Sequence, residues 1–586
     1  MDKKHGSVYI AEIKRKYKDR VYTTYLLRRS YREDGKVKQQ TLANLSHLPA
    51  EGISVLRGML HGEKYVPVEQ ALEVERTRQH GHVASVRAMF RELGLHTIID
   101  PDESRMRDLV EAMVVARVVE PQPKLSTTRW WQTTTLPEDL GVTDATEDDL
   151  YAAMDWLLGR QSRVEGELGR RHLKEGGLVL YDLTSSYVEG TRCTLASFGH
   201  NRDGKVGKRQ VNYGLMLDPV GRPVAVEVYK GNTGDPMTVE SQLEKVKTRF
   251  GLEHVVLAGD RGMLTAARVR EIKEAGGIDW LTALRSKEIQ ALAGAGVIQP
   301  TLFDQRDLAE ITSPDYPGER LIACRNPVLA EERTRKREEL LQATEKSLEA
   351  LKGRVEKGRL KRTEKIGEAL GRIRNRYKVA KHFECVIGEG HFTYHRKEET
   401  IRQESALDGI YVIRTSVSAG RLRAEDAVTG YKSLSRAERA FRTFKSIDLR
   451  VRPIHHWTAD RVRAHILLCM LAYYVEWHLR EAWREFLFDD EDPGHRESDS
   501  PVSAAVRSPG ALAKARMHRT EDGAPVHSFQ TLLAELGTIG RHTVRVPARP
   551  DLPSFETVTT PTPYQQALCE RAGFNWATGR RQNTSA

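Results

Sequence analysis

Between residues 178 and 285 the chain alternates in a way that few architectures accommodate. "LVLYDLTSSY", "VNYGLMLDPVGRPVAVEVYKGN" and "HVVLAGDRGM" read as strands, the middle segment folding back on itself through Asp218-Pro219-Val220-Gly221. "TVESQLEKVKTRF" and "TAARVREIKEAGG" carry helical periodicity, and "IDWLTALR" is again a strand. Three strands, helix, strand, helix, strand predicts a mixed α/β sheet that opens with an antiparallel meander.

The rest of the chain is organised around that sheet. At 586 residues it is too long for one core. Residues 1–65 read as a basic β-rich segment turning at Asp34-Gly35, a candidate DNA contact, and 66–177 as a helical domain. The first part of the α/β core takes 178–287. An insertion, 288–430, holds a long charged helix in which Leu341, Leu348 and Val355 follow a heptad with Thr344 and Leu351 between them, predicting a helical hairpin or coiled-coil seam. Residues 431–485 return to apolar helices, and 486–586, rich in Pro, Ser and Gly, reads as a linker and tail with one docked helix in "HSFQTLLAELGTI".

Charge narrows the partners. Lys and Arg outnumber Asp and Glu by 92 to 81, and residues 1–40 alone hold twelve Lys and Arg against five acids, a net +7. A stripe of this kind, interleaved with tyrosine, suits a phosphate backbone, with a solvated hairpin face as the rival reading. The longest apolar run, "ILLCMLAYYV", is too short to span a bilayer, and "MDKKHGSVYIAE" lacks the apolar centre of a secretory signal. Five well-separated cysteines form no metal or disulfide pattern, which suits a reducing cytoplasm.

Two acids stand out. Asp182 closes the apolar run "LVLYD" and Asp260 closes "VVLAGD"; a charge there needs hydration, hydrogen bonds or a cation. Turn chemistry accounts for each singly. Together, at strand ends of one sheet, they can converge where open α/β sheets bind ligands. Two carboxylates suit Mg²⁺, and a third acid on a flanking helix would complete a two-metal phosphodiester site. Asp408, Glu425, Asp426, Glu438 and Asp448 are candidates for that third acid. Glu438 lies in "SLSRAERAFRTFKS", whose Leu434, Ala437, Phe441 and Phe444 form an apolar stripe; Ser435-x-x-Glu438 also reads as a capping box. The loop "GHNRDGKVGKRQ" interleaves Gly with Lys205 and Lys208, either to approach DNA or as an ordinary surface loop. His455 and His456 in "RVRPIHHW" suit packing or phosphate contact better than acid–base catalysis.

The order of "YDLTSS", "GDRGM" and "YKSLSRAERAFRTFKSIDLRVRPIHH" resembles the DDE insertion-sequence transposases, in the group signed by Tyr-x2-Arg-x3-Glu-x6-Lys. Tyr431, Glu438 and Lys445 occupy the Tyr, Glu and Lys positions; Leu434 stands where the signature has arginine, and Met263 where an aromatic residue follows Asp260-Arg261-Gly262. The resemblance implies a ribonuclease-H-like mixed sheet interrupted by the inserted block. It implies that Asp182, Asp260 and Glu438 hold two Mg²⁺ (or Mn²⁺) ions per active site. Tyr431, Lys445 and Arg442 would then contact DNA, with Lys205 and Lys208 nearby. The activity implied is metal-dependent cleavage of double-stranded transposon ends and strand transfer to target DNA, by a cytoplasmic homodimer on paired ends. A catalytically silent DNA-binding descendant and a nuclease without strand transfer are the alternatives.

Overall fold

A computed structural model describes residues 6–65, 67, 71–299, 302–491, 501–502 and 507–574, in two compact units. The smaller unit combines the chain's first 78 residues with 539–560. Its first sheet is the antiparallel meander β1 (Ser7–Tyr17), β2 (Arg20–Glu33) and β3 (Lys36–Asn44). Two-residue turns set the register: Tyr17 pairs with Arg20 and Glu33 with Lys36. Asp34 and Gly35 both have positive φ, 50° and 73°, the conformation that an Asp-Gly hairpin turn needs. Arg15, Lys16, Lys18 and Arg20 are exposed at one end of this ribbon. A second sheet pairs β4 (Glu73–Gln79) with two late strands, β15 (Gly540–Arg545) and β16 (Phe555–Val558).

The larger unit is built on an eight-stranded mixed sheet. In chain order its strands are β5 (Leu178–Tyr187), β6 (Gln210–Leu217), β7 (Pro223–Lys230), β8 (Val255–Ala258), β9 (Ile278–Ala283), β10 (Leu308–Ile311), β11 (Arg320–Arg325) and β14 (Ile410–Thr415). In space they run β10-β11-β14-β9-β8-β5-β6-β7. β5, β8 and β9 are parallel neighbours and every other pairing is antiparallel. The helix Ala459–Ala482, apolar on nearly all sides and buried along most of its length, packs against β7 and against the helices Arg105–Val119 and Glu147–Leu158.

Three strands of the 288–430 block thus extend the sheet. The helices Pro327–Glu356 and Thr363–Tyr377, with the hairpin β12 (Phe383–Gly388) and β13 (His391–Arg396), leave the sheet after β11 and return at β14. The exit is tight: the Asn326 N–H bonds the Gly409 carbonyl at 2.9 Å, and Gly409 (φ 74°) has no room for a Cβ, which would lie 2.3 Å from the Asn326 oxygen. The heptad residues Leu341, Thr344, Leu348, Leu351 and Val355 are all buried, in a local core with Ile366, Leu370, Phe383 and Phe392.

The segment read as linker and tail carries helices at Pro509–Met517, Phe529–Gly537 and Pro563–Arg571 besides β15 and β16; its residues 492–500, 503–506 and 575–586 lie outside the described ones. Three of its Ser and Thr residues and two of its prolines are helix starts. Ser508, Ser528 and Thr562 each accept the backbone N–H three residues on, and Pro509 and Pro563 sit at the first helical position. No described helix is long and apolar enough to cross a membrane.

Candidate active site

Strand register brings the first two acids together. β5 and β8 pair in parallel up to Leu180 and Ala258, so carrying the register two residues on sets Asp182 level with Asp260. Neighbouring strands are about 4.8 Å apart, so the two carboxylates are adjacent where β8 gives way to a turn. Asp182 does not end its own strand, as the sequence suggested. It is the fifth residue of β5, because Thr184, Ser185 and Ser186 continue the pairing with β6 and are buried, the Ser186 hydroxyl meeting that of Tyr213 at 3.0 Å. Asp260 opens a tight turn: its carboxylate accepts the Gly262 N–H at 3.2 Å and its carbonyl the Met263 N–H at 2.9 Å. Met263 is buried beneath it.

The third segment is the short helix Ser435–Arg442, following the helix Ala424–Lys432 after a single turn. Leu434 keeps helical φ and ψ, and the N–H groups of Arg436, Ala437 and Glu438 already bond the Ser433 and Leu434 carbonyls. The N–H groups that a Ser435 side chain would cap are thus already bonded, and the Ser435-x-x-Glu438 capping box does not form. Glu438 is instead exposed, while Ala437, Phe441 and Phe444 are buried, both phenyl rings meeting Tyr213. From Thr443 to Ile447 the helix widens into a π turn. That extra residue in the turn swings Lys445 away from the straight line with Glu438 that seven-residue spacing predicts.

All three acids line one cleft of about 920 Å³. Of the five candidates for the third acid only Glu438 does so. Asp408 is paired with Arg337, Glu425 with Arg306, Asp426 with Arg423 and Asp448 with Arg480. The lining carries seven Arg and Lys against four Asp and Glu. Burial pushes the Asp182 carboxyl up to about 7; its bond from the Leu183 N–H and nearby Arg202 oppose this, and Asp260 and Glu438 add to it. Among the described residues no three acidic, His or Cys side chains are drawn close enough to form a ready-made metal cage.

Tyr431 and Lys445 also line the cleft. Burial, then the charge of Asp260, pushes the Tyr431 phenol up to about 12. Lys445 is largely buried and bonds Asp203 at 3.0 Å. Arg442 is exposed on the cleft wall, and Leu434, in the signature's arginine place, lines it as an apolar residue. Lys205 and Lys208 are not among the lining residues: Lys205 stands over the Tyr187 ring at 5.9 Å and Lys208 pairs with Glu189 at 2.8 Å. His456 packs edge-on against Tyr151, and burial holds it neutral, its pKa lowered to about 3.

Several lining residues were not singled out by sequence. Arg202 grips Asp235 with bonds of 2.5 and 2.6 Å, Arg452 pairs with Asp203, and Arg333 reaches the cleft from the inserted helical hairpin. Arg202, in its Gly- and Lys-rich loop, and Arg452, in the basic stretch "RVRPIHHW", had a local signal; Arg333 had none.

A mixed sheet and a flanking helix thus set three acids in one cation-rich cleft. The transposase DDE domain model matches residues 174–475, and the chain belongs to that family. Residues 10–66 match the N-terminal domain of IS1634 family transposases, which makes this an insertion-sequence transposase of the DDE type. No curated protein matches the chain. Among solved structures, a piggyBac transposase synaptic complex with hairpin DNA is similar at 8% identity and a TM-score of 0.33, over 78% of this chain and 76% of that one.

Proposed function

We propose that this transposase hydrolyses phosphodiesters at the ends of its insertion sequence and joins the freed 3′-hydroxyls to target DNA, with Asp182, Asp260 and Glu438 as the metal-binding acids. The carrying observation is that these three, from separate segments, line one cleft whose remaining charge is mostly positive. The strand order β7-β6-β5-β8-β9, antiparallel on one side of β5 and parallel on the other, supports a ribonuclease-H-like core. In this reading 178–287 and 431–485 form that core, 288–430 is its insertion, and the assembly is a homodimer on paired ends. Strand transfer from an end-bearing duplex into a supercoiled plasmid tests it; nicked ends without joined products would reduce the enzyme to a nuclease.

DDE transposase domains generally use divalent metals, and the residues here fit one. Burial and two acidic neighbours raise the Asp182 pKa to about 7, a field that a cation reverses. Two Mg²⁺ or Mn²⁺ ions would polarise the scissile phosphate and lower the pKa of the attacking hydroxyl. The chain's own part is to set the carboxylates and to place Tyr431, Lys445 and Arg442 along the cleft for the DNA backbone.

The metal site has a readout independent of activity. Because the folded-state pKa of Asp182 is raised, the folded protein holds that proton more tightly, and metal-free stability falls as pH climbs from about 4 through 7. A cation requires the ionised carboxylate, so its stabilisation grows over the same window. Mn²⁺ is expected to raise the Tm more at pH 8 than at pH 6. Asp182→Asn without metal at pH 8 should melt about 2–4 °C above wild type and lose the Mn²⁺ response. An equal response to Mn²⁺ in that variant would remove Asp182 from the ligand set.

The N-terminal ribbon is read as a backbone contact. Replacing Arg15, Lys16, Lys18 and Arg20 by Gln should weaken duplex binding and reduce the steepness of its salt dependence by roughly one unit per lost phosphate contact. An unchanged slope in a titration against KCl would take the ribbon off DNA.

A further inference from the structure

We infer that Asp203 is a positioning residue that holds Lys445 and Arg452 as a phosphate-binding pair on the cleft wall; this rests on reading the cleft as a DNA site. One carboxylate oxygen of Asp203 serves both cations, Lys445 at 3.0 Å and Arg452 in a charge-assisted contact. The other accepts the Tyr187 N–H at 3.1 Å. The Asp203 side chain is only 2% exposed, and its own N–H is held by Asn201 at 2.9 Å. The acid is therefore fixed from three sides, at the end of β5, and the cations are what it presents. Both line the cleft, whereas Asp203 does not.

Two cations on one acid leave a net positive charge aimed at the cleft, and long side chains that would otherwise sample many rotamers are held in one arrangement. The pairing also keeps Lys445 charged. Burial lowers its pKa, Arg452 and Arg202 push the same way, and Asp203 is the group that raises it. Without Asp203 an ammonium among two guanidinium groups would lose its proton at lower pH. The loop that carries Asp203 is itself fastened by the Arg202–Asp235 pair. Arginine is missing from the helix at Leu434, and this loop brings together Lys445, within the π turn, and Arg452, beyond it.

The test is binding of a labelled mixed-sequence 40-bp duplex, without divalent metal, from pH 7 to pH 10. Wild type should lose affinity on the alkaline side as Lys445 deprotonates. Asp203→Asn should move that loss to lower pH, leaving binding about fivefold weaker at pH 9 and within about twofold at pH 7. In a Lys445→Arg background, where the cation cannot deprotonate, Asp203→Asn should no longer move the limb. Arg452→Gln has the opposite sign, moving the limb to higher pH, and serves if circular dichroism shows Asp203→Asn unfolded. A wild-type limb with neither variant moving it, or a shift that survives Lys445→Arg, overturns the positioning role alone. Failure of the wild-type protein to bind duplex at any pH removes the DNA reading of the cleft as well.

Discussion

Glu438→Gln is expected to abolish strand cleavage, by about a thousandfold or more, while duplex binding stays within about threefold of wild type or tightens. The two effects separate because Glu438 is exposed and its helix is held from the opposite face by Ala437, Phe441 and Phe444. Glutamine keeps the side chain's shape and removes only its charge, so the packing is untouched. The cleft, with seven cations against four acids, becomes more positive, and a polyanion is held at least as well. Asp182→Asn and Asp260→Asn should fall in the same class. Asp448→Asn should not share this separation, since Asp448 lies outside the cleft and binds Arg480 at 2.8 Å. Single-turnover cleavage of a radiolabelled end duplex beside a binding isotherm makes the comparison. Cleavage by Glu438→Gln near the wild-type rate would take that acid out of the chemistry.

What could be read from sequence was whatever local pattern decides. Short apolar runs between turns and helices marked β5 to β9, Asp34-Gly35 marked its hairpin, and the heptad of 341–355 marked a buried helix seam. The approach of Asp182 to Asp260 was legible only as a possibility, because it depends on the parallel register of β5 and β8, which neither strand encodes alone. The capping box failed for the same kind of reason: Ser435 stands three places before Glu438, but the Ser433 and Leu434 carbonyls in the turn before it already hold the Arg436 to Glu438 N–H groups that a cap serves. β10 and β11 were hidden by their brevity. In the described part of the last hundred residues, Ser508 and Ser528 are N-caps and Pro509 and Pro563 first-turn prolines. Composition cannot distinguish these from a loop, and only the partner beneath each helix does.

The second large effect is on stability, and it lies one residue from Lys445. Phe444 is fully buried, its ring near-parallel to Tyr213 (27°, centroids 6.4 Å) and tilted on Tyr473 of the long helix (5.4 Å). Its carbonyl accepts the Val451 N–H at 2.8 Å, closing the loop after the π turn. Phe444→Ala removes an aromatic ring from a close-packed site between β6 and Ala459–Ala482, and should cost about 3–5 kcal/mol. Phe444→Leu, which keeps most of the volume, should cost about 1–2 kcal/mol, and Phe198→Ala, at a ring 63% exposed, less than about 0.5 kcal/mol. The functional consequence follows from the π turn. Phe441 and Phe444, three residues apart, share a face and both reach Tyr213, so the two rings anchor the start of the widened turn. Losing the second anchor releases the turn and with it the placement of Lys445 beside Asp203. Phe444→Ala should therefore lower duplex affinity at temperatures where it is still folded, and Phe444→Leu should largely restore it. Urea unfolding at constant m-value with binding isotherms at 15 °C would check both; an Ala variant as stable as wild type would show that the turn is held from elsewhere.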